Sequence, residues 1–164
     1  MRLTIIRIKP NPAGKDRSPH GVPSAAQLAA EWVDFRNDTG RDVTLDGVSL
    51  WHLTYAPGRD REWERVRDFS GILPANNVLR VHAGVTRDLS VVRREDLDGA
   101  DYHAFTGNDA FIWNNKQGDT PLLFKAAEKL TIDQASYDAN PPEGVVLVRA
   151  GNKLVAPVSR AAGW

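Results

Sequence analysis

Glu31-Trp32-Val33-Asp34-Phe35-Arg36-Asn37 is the stretch on which the reading of this chain turns. Successive side chains of an extended backbone point to opposite faces, so Val33 and Phe35 share one face while Trp32, Asp34 and Arg36 share the other. The next four residues, Asn37-Asp38-Thr39-Gly40, have the composition of a turn. The pattern is that of a strand closed by a turn, and the chain on both sides repeats it.

Upstream, Ser24 to Ala30 has a capping serine and helix-favouring alanines, enough for about one helical turn. Asn11 to Pro23 carries Pro12, Gly14, Pro19, Gly21 and Pro23 among charges and reads as a loop. Before it, Leu3, Ile5, Ile6 and Ile8 mark a first strand over residues 2–8. Downstream, Val43 and Leu45 stand before Asp46-Gly47, and Val48 and Leu50 after it, which predicts either a tight hairpin or a bend in one strand. Trp51 to Tyr55 continues this β-prone run, and Ala56 to Arg65 reads as an exposed polar connection. Val78 to His82 is another strand. Ala83 to Asn108 is irregular, and its charge-dense part from Arg87 to Asp101 predicts a long surface loop. Order returns at Ala110 to Trp113, at Leu122 to Phe124, at Leu130 to Tyr137 with an irregularity, and at Val145 to Arg149. Many short strands with turns between them, and no long helical period, predict an all-β sandwich or barrel.

The chain has 164 residues, enough for one domain with a core of its own. We expect that domain to span residues 1–149, with a C-terminal tail over 150–164. Lysine plus arginine equals aspartate plus glutamate, 21 against 21, so no overall field draws the protein to nucleic acid or anionic lipid. It has no cysteine, which excludes disulfides, thiolate metal sites and cysteine nucleophiles. No apolar run is long enough for a membrane-spanning helix. The first apolar stretch holds charges and no small-residue cleavage site. With Met1 as the native start the expected compartment is the cytoplasm, and with a trimmed start it is the secreted one.

Four segments, in this order, resemble the lamin tail domain family, its bacterial stand-alone and secreted members above all. They are Asn11-Pro-Ala-Gly-Lys-Asp16; Glu31 to Asn37 followed by Val43 to Leu50; Leu73 through Val81-His82-Ala83-Gly84; and Ile112-Trp-Asn-Asn115 with Gly118-Asp119, then Leu130 to Tyr137. Together they span roughly residues 2–149. The sequence departs from the family pattern at Val48, where the family has tryptophan, and at His52, where it has aspartate. It departs again at Pro74-Ala75 in place of Pro-Gly, and by an extra residue, Lys116 or Gln117, before Gly118. The resemblance implies an immunoglobulin-like β-sandwich of lamin tail type that acts as an accessory module; no sustained heptads are present, so no filament rod accompanies it.

Catalysis requires a nucleophile with its base, an acid–base pair or a metal cluster. His20, His52, His82 and His103 lack metal-ligand spacing, and no nucleophile elbow, P-loop or dinucleotide fingerprint occurs. The expectation is a non-catalytic interaction or structural module presenting loops to a protein or polymeric partner. Two alternatives accompany it. Asp16, Glu31, Asp34 and Asp119, with Asn11, Asn114 and Asn115, are oxygen donors from which a calcium (Ca2+) site could be built, although Asp and Asn also shape turns through bonds to the backbone. Trp63, amid Arg59, Arg61, Arg65 and Arg67, has the composition of a stacking and phosphate-binding segment for nucleic acid, although Asp60, Glu62, Glu64 and Asp68 alternate with the arginines and cancel their charge. Trp113 with Asn114 and Asn115 has two readings, a stacking contact for a sugar or base and a core tryptophan followed by turn-shaping asparagines. Of these we expect the core.

Overall fold

The computed structural model describes residues 2–14 and 21–158. Its elements in chain order are β1 (Leu3–Lys9), α1 (Ala25–Ala29), β2 (Trp32–Asn37), β3 (Val43–Thr44), β4 (Val48–Leu53), β5 (Trp63–Asp68), β6 (Ile72–Leu73), β7 (Val78–His82), α2 (Arg94–Leu97), β8 (Tyr102–Phe105), β9 (Leu122–Lys125), β10 (Leu130–Gln134), β11 (Leu147–Ala150) and β12 (Lys153–Val155). The described chain is mostly β-strand, as its alternating pattern requires. Strands β12-β11-β1-β2-β7-β8 form one sheet, β10-β9-β4-β5 a second, and β3-β6 a two-stranded ribbon.

The two larger sheets enclose one core. Ile5, Ile8, Val33, Phe35, Leu79 and Val81 enter it from the first sheet, and Val48, Leu50, Val66 and Leu123 from the second. Phe35 meets Phe69 edge to face at 5.3 Å. The alternation in Glu31–Asn37 therefore held, because β2 is a central strand with Val33 and Phe35 on its core face. Its other face is buried too, which alternation alone does not predict. Trp32 is 2 % exposed and Asp34 0 %.

The segment that buries this second face is the stretch read as a surface loop. Residues 83–101 join β7 to β8, and these two strands run parallel. A parallel pair cannot be closed by a hairpin and needs a crossover over one face of the sheet. A 3-10 turn at Leu89–Val91 and α2 form that crossover. Asp96 is fully buried in it, accepting from Lys9 Nζ at 2.7 Å and Trp32 Nε1 at 2.9 Å. Most charges of this stretch do face solvent, as a loop's would, but Asp96 is turned inward onto buried partners and the segment carries a short helix that covers the sheet.

Three further expectations change. Trp63 to Arg65 belongs to edge strand β5, not to a connection; its alternating charges suit an edge whose outer side stays wet. Ala110 to Trp113 holds no strand. The sheet also runs past residue 149, since β12 pairs with β11 and Leu154 is 2 % exposed. Of the two readings at Asp46-Gly47 the bend is the one found: β3 pairs with β6, so the turn carries the chain from the ribbon into the second sheet. Ser24 caps α1 as expected, its side chain accepting from Gln27 N.

Candidate binding surface

The segment Trp113-Asn114-Asn115 to Gly118-Asp119 closes on itself beside β4. Gly118 has φ of +68°, and a Cβ there would stand 2.3 Å from the carbonyl oxygen of Tyr137. Asp119 Oδ2 accepts from Asn114 N (3.1 Å), Asn114 Nδ2 (2.9 Å) and His52 Nδ1 (2.9 Å), and Oδ1 from Leu53 N (2.8 Å) and Thr120 N (2.7 Å). The Tyr137 hydroxyl donates to Asn114 O, and burial, then the nearby Asp119 and Glu31, pushes its pKa up. Trp113 is 5 % exposed and stands edge-on to His52 at 5.8 Å. Asn115 Oδ1 is buried and has no hydrogen-bond partner among the described residues. This sequence motif is thus an internal knot, and Trp113 lies in the core.

The calcium candidates do not converge. Asp119 is saturated with N–H donors. Asp34 is held by Arg7 Nε at 2.9 Å and by Arg80 Nε at 2.7 Å and Nη2 at 2.8 Å. Glu31 Oε1 accepts from Ile112 N. These are three separate hydrogen-bond systems, filled by donors that a cation would have to displace. Asp16 lies outside the described residues. Among the described residues, no three histidines or carboxylates are grouped to hold a metal.

Asp34 instead ties three strands together. It joins Arg7 of β1 to Arg80 of β7, and the Arg80 guanidinium lies 3.5 Å above the Trp32 ring. Arg80 Nη1 donates to the carbonyls of Asp96 and Asp98, anchoring the crossover. Next to this, His82 donates from Nδ1 to Ala29 O, so its neutral ring accepts at Nε2 from His103 Nδ1 at 2.8 Å. Burial lowers the His82 pKa to about 4.

The exposed chemistry lies on the outer face of the second sheet. The register sets Leu53 opposite Trp63, and Trp51 opposite both Arg65 and Leu122. A bulge between Leu50 and Trp51 resets the alternation there. Trp63 is 43 % exposed, and Trp51 meets Phe124 edge to face at 6.3 Å. Two grooves border Trp63. One, of about 230 Å³, is lined by Trp51, Leu122, Phe124 and Thr131; the other, of about 240 Å³, by Leu53, Thr120, Gln134, Ser136 and Asn152.

Two of the arginines expected beside Trp63, Arg61 and Arg65, are engaged elsewhere. Arg61 Nη2 donates to Leu53 O and Gly118 O, and its Nε to Thr54 O. Arg65 pairs with Asp68 at 3.5 Å. Sequence reasoning singled out Trp63 and missed Trp51, Phe124, Thr131 and Gln134 as its neighbours. The spacing of Trp51 from Leu53, and of Leu122 from Phe124, is the period-two signal that places each pair on one face; which strands pair is not written locally. Compared with known proteins, the chain matches no family model and no curated sequence.

Proposed function

We propose that this chain is a non-catalytic binding module, an immunoglobulin-like sandwich of lamin tail type, which holds an uncharged polymer along the outer face of its second sheet. The observation that carries this reading is Trp63, an exposed indole standing between two grooves on a rigid sheet. An occupant longer than a single unit is favoured because the grooves flank the indole. Lack of charge is favoured because Thr120, Thr131, Gln134, Ser136 and Asn152 line them, and because Arg61 and Arg65 already have partners. A glycan meets both conditions: its ring faces stack on aromatic side chains while its hydroxyls bond to amides and hydroxyls. Nucleic acid fits less well, since it requires cations free to meet phosphate.

The test is affinity electrophoresis and calorimetry with a panel of soluble neutral polysaccharides. Binding to at least one of them, lost in Trp63→Ala while the thermal midpoint is kept, is expected. The reading also expects that no new reducing ends form during incubation. Failure of every glycan to bind, or equal binding by Trp63→Ala, overturns it.

A further inference from the structure

A cavity of about 590 Å³ opens elsewhere, between the two edge strands β5 and β8. The β5 bulge sets Arg67 opposite Leu50 and turns it away from the outer face. Its Nη1 donates to the carbonyl of Phe105 on β8, and its guanidinium lies 5.8 Å from the Phe69 ring. Its Nε is buried without a hydrogen-bond partner, and among the described residues no carboxylate pairs with it. Arg87, from the crossover, lines the same cavity and likewise has no carboxylate partner among the described residues. Burial, and then the charge of Arg87, holds the Arg67 pKa down. The nearest acids along the chain are engaged: Asp68 pairs with Arg65, and Asp88 accepts from Ser90 N.

Two uncompensated guanidiniums facing one cavity, one of them half-buried, are costly unless an anion joins them. A guanidinium is a planar fork of N–H donors that matches a carboxylate or phosphate. The remaining wall is His103, Gly107 and apolar side chains. Val85 and Leu89 are 57 % and 41 % exposed beside the cavity, and Ala104 and Phe105 complete it. The volume falls within the range usual for small-molecule sites. We propose that this cavity binds a small organic anion, its carboxylate or phosphate between Arg67 and Arg87 and its apolar body against Val85, Leu89 and Phe105. This site is independent of the Trp63 face.

Calorimetry with phenyl phosphate, benzoate and neutral benzyl alcohol tests the proposal on the full chain at low salt. At least one of the two anions is expected to bind saturably, and benzyl alcohol is not. Which anion binds tells phosphate from carboxylate recognition. Arg87→Gln changes an exposed side chain, so its fold is retained, and it is expected to weaken binding about tenfold or more. Arg67→Gln, checked for folding by circular dichroism, should act at least as strongly, whereas Trp63→Ala should leave anion binding unchanged. The proposal is overturned if neither anion binds at millimolar concentration, if benzyl alcohol binds as well as the anions, or if Arg87→Gln binds like the parent.

Discussion

At the scale of the residue, buried Asp34 and Asp119 serve structure by filling their carboxylates with N–H donors. Asp119 accepts five hydrogen bonds from N–H groups at 2 % exposure. Asp119→Ala leaves those donors without an acceptor and is expected to cost about 3–5 kcal/mol in urea unfolding. Gly118→Ala combines a left-handed φ with a Cβ pressed on the Tyr137 carbonyl, so the backbone must shift; a loss of at least about 2 kcal/mol is expected. His82 sets part of the acid limb. Its folded pKa of about 4 lies below the unfolded value of 6.5, so the unfolded chain takes up the proton first as pH falls. The stability it contributes is full above pH 6.5 and is lost between there and about pH 4, amounting to at most about 3 kcal/mol. His103, whose pKa burial also lowers, acts in the same direction. Urea midpoints measured across this pH window should show a shallower slope in His82→Gln, whatever its absolute stability.

At the scale of the element, the crossover between β7 and β8 separates what a sequence shows from what it conceals. Its composition is that of a solvated loop, yet Asp96 meets Lys9 and Trp32 beneath it. Asp96→Ala removes the acceptor for both and should raise the opening frequency of α2 and β8. Hydrogen exchange is the measurement: β8 amides are expected to lose protection while those of β4 and β9 keep theirs. Equal loss in both sheets would show that the crossover is not a separate unit. Strand β5 was hidden for a different reason. An edge strand keeps one side in water, so alternating charges and a lone tryptophan there resemble a loop.

At the scale of the whole molecule, two surfaces of different chemistry follow from how the sheets are arranged. The outer face of the second sheet carries aromatics bordered by uncharged polar groups and by Arg65, paired with Asp68, and the gap between edge strands carries two arginines. The formal net charge of the chain is zero, so neither site has a global field behind it. Salt therefore distinguishes them. Between low and high ionic strength, glycan binding at Trp63 should change little, while anion binding at Arg67 and Arg87 should weaken markedly. Parallel calorimetric titrations at two salt concentrations check both expectations.

Strands β1, β2, β4, β7, β9, β10 and β11, the core face of β2 and the turns at Asn37–Gly40 and Gly118 were legible in the sequence, because side-chain alternation and turn chemistry are local properties of the backbone. The all-β class followed from them. Only the tertiary structure decided which strands lie side by side, because pairing joins residues far apart in sequence. It alone put Trp51, Trp63 and Phe124 on one face, and brought Arg87 to Arg67. It also decided which charges are buried. Asp34, Asp96 and Arg67 have the side chains of ordinary surface residues, and what sets each apart is the partner, present or missing, that the fold places against it.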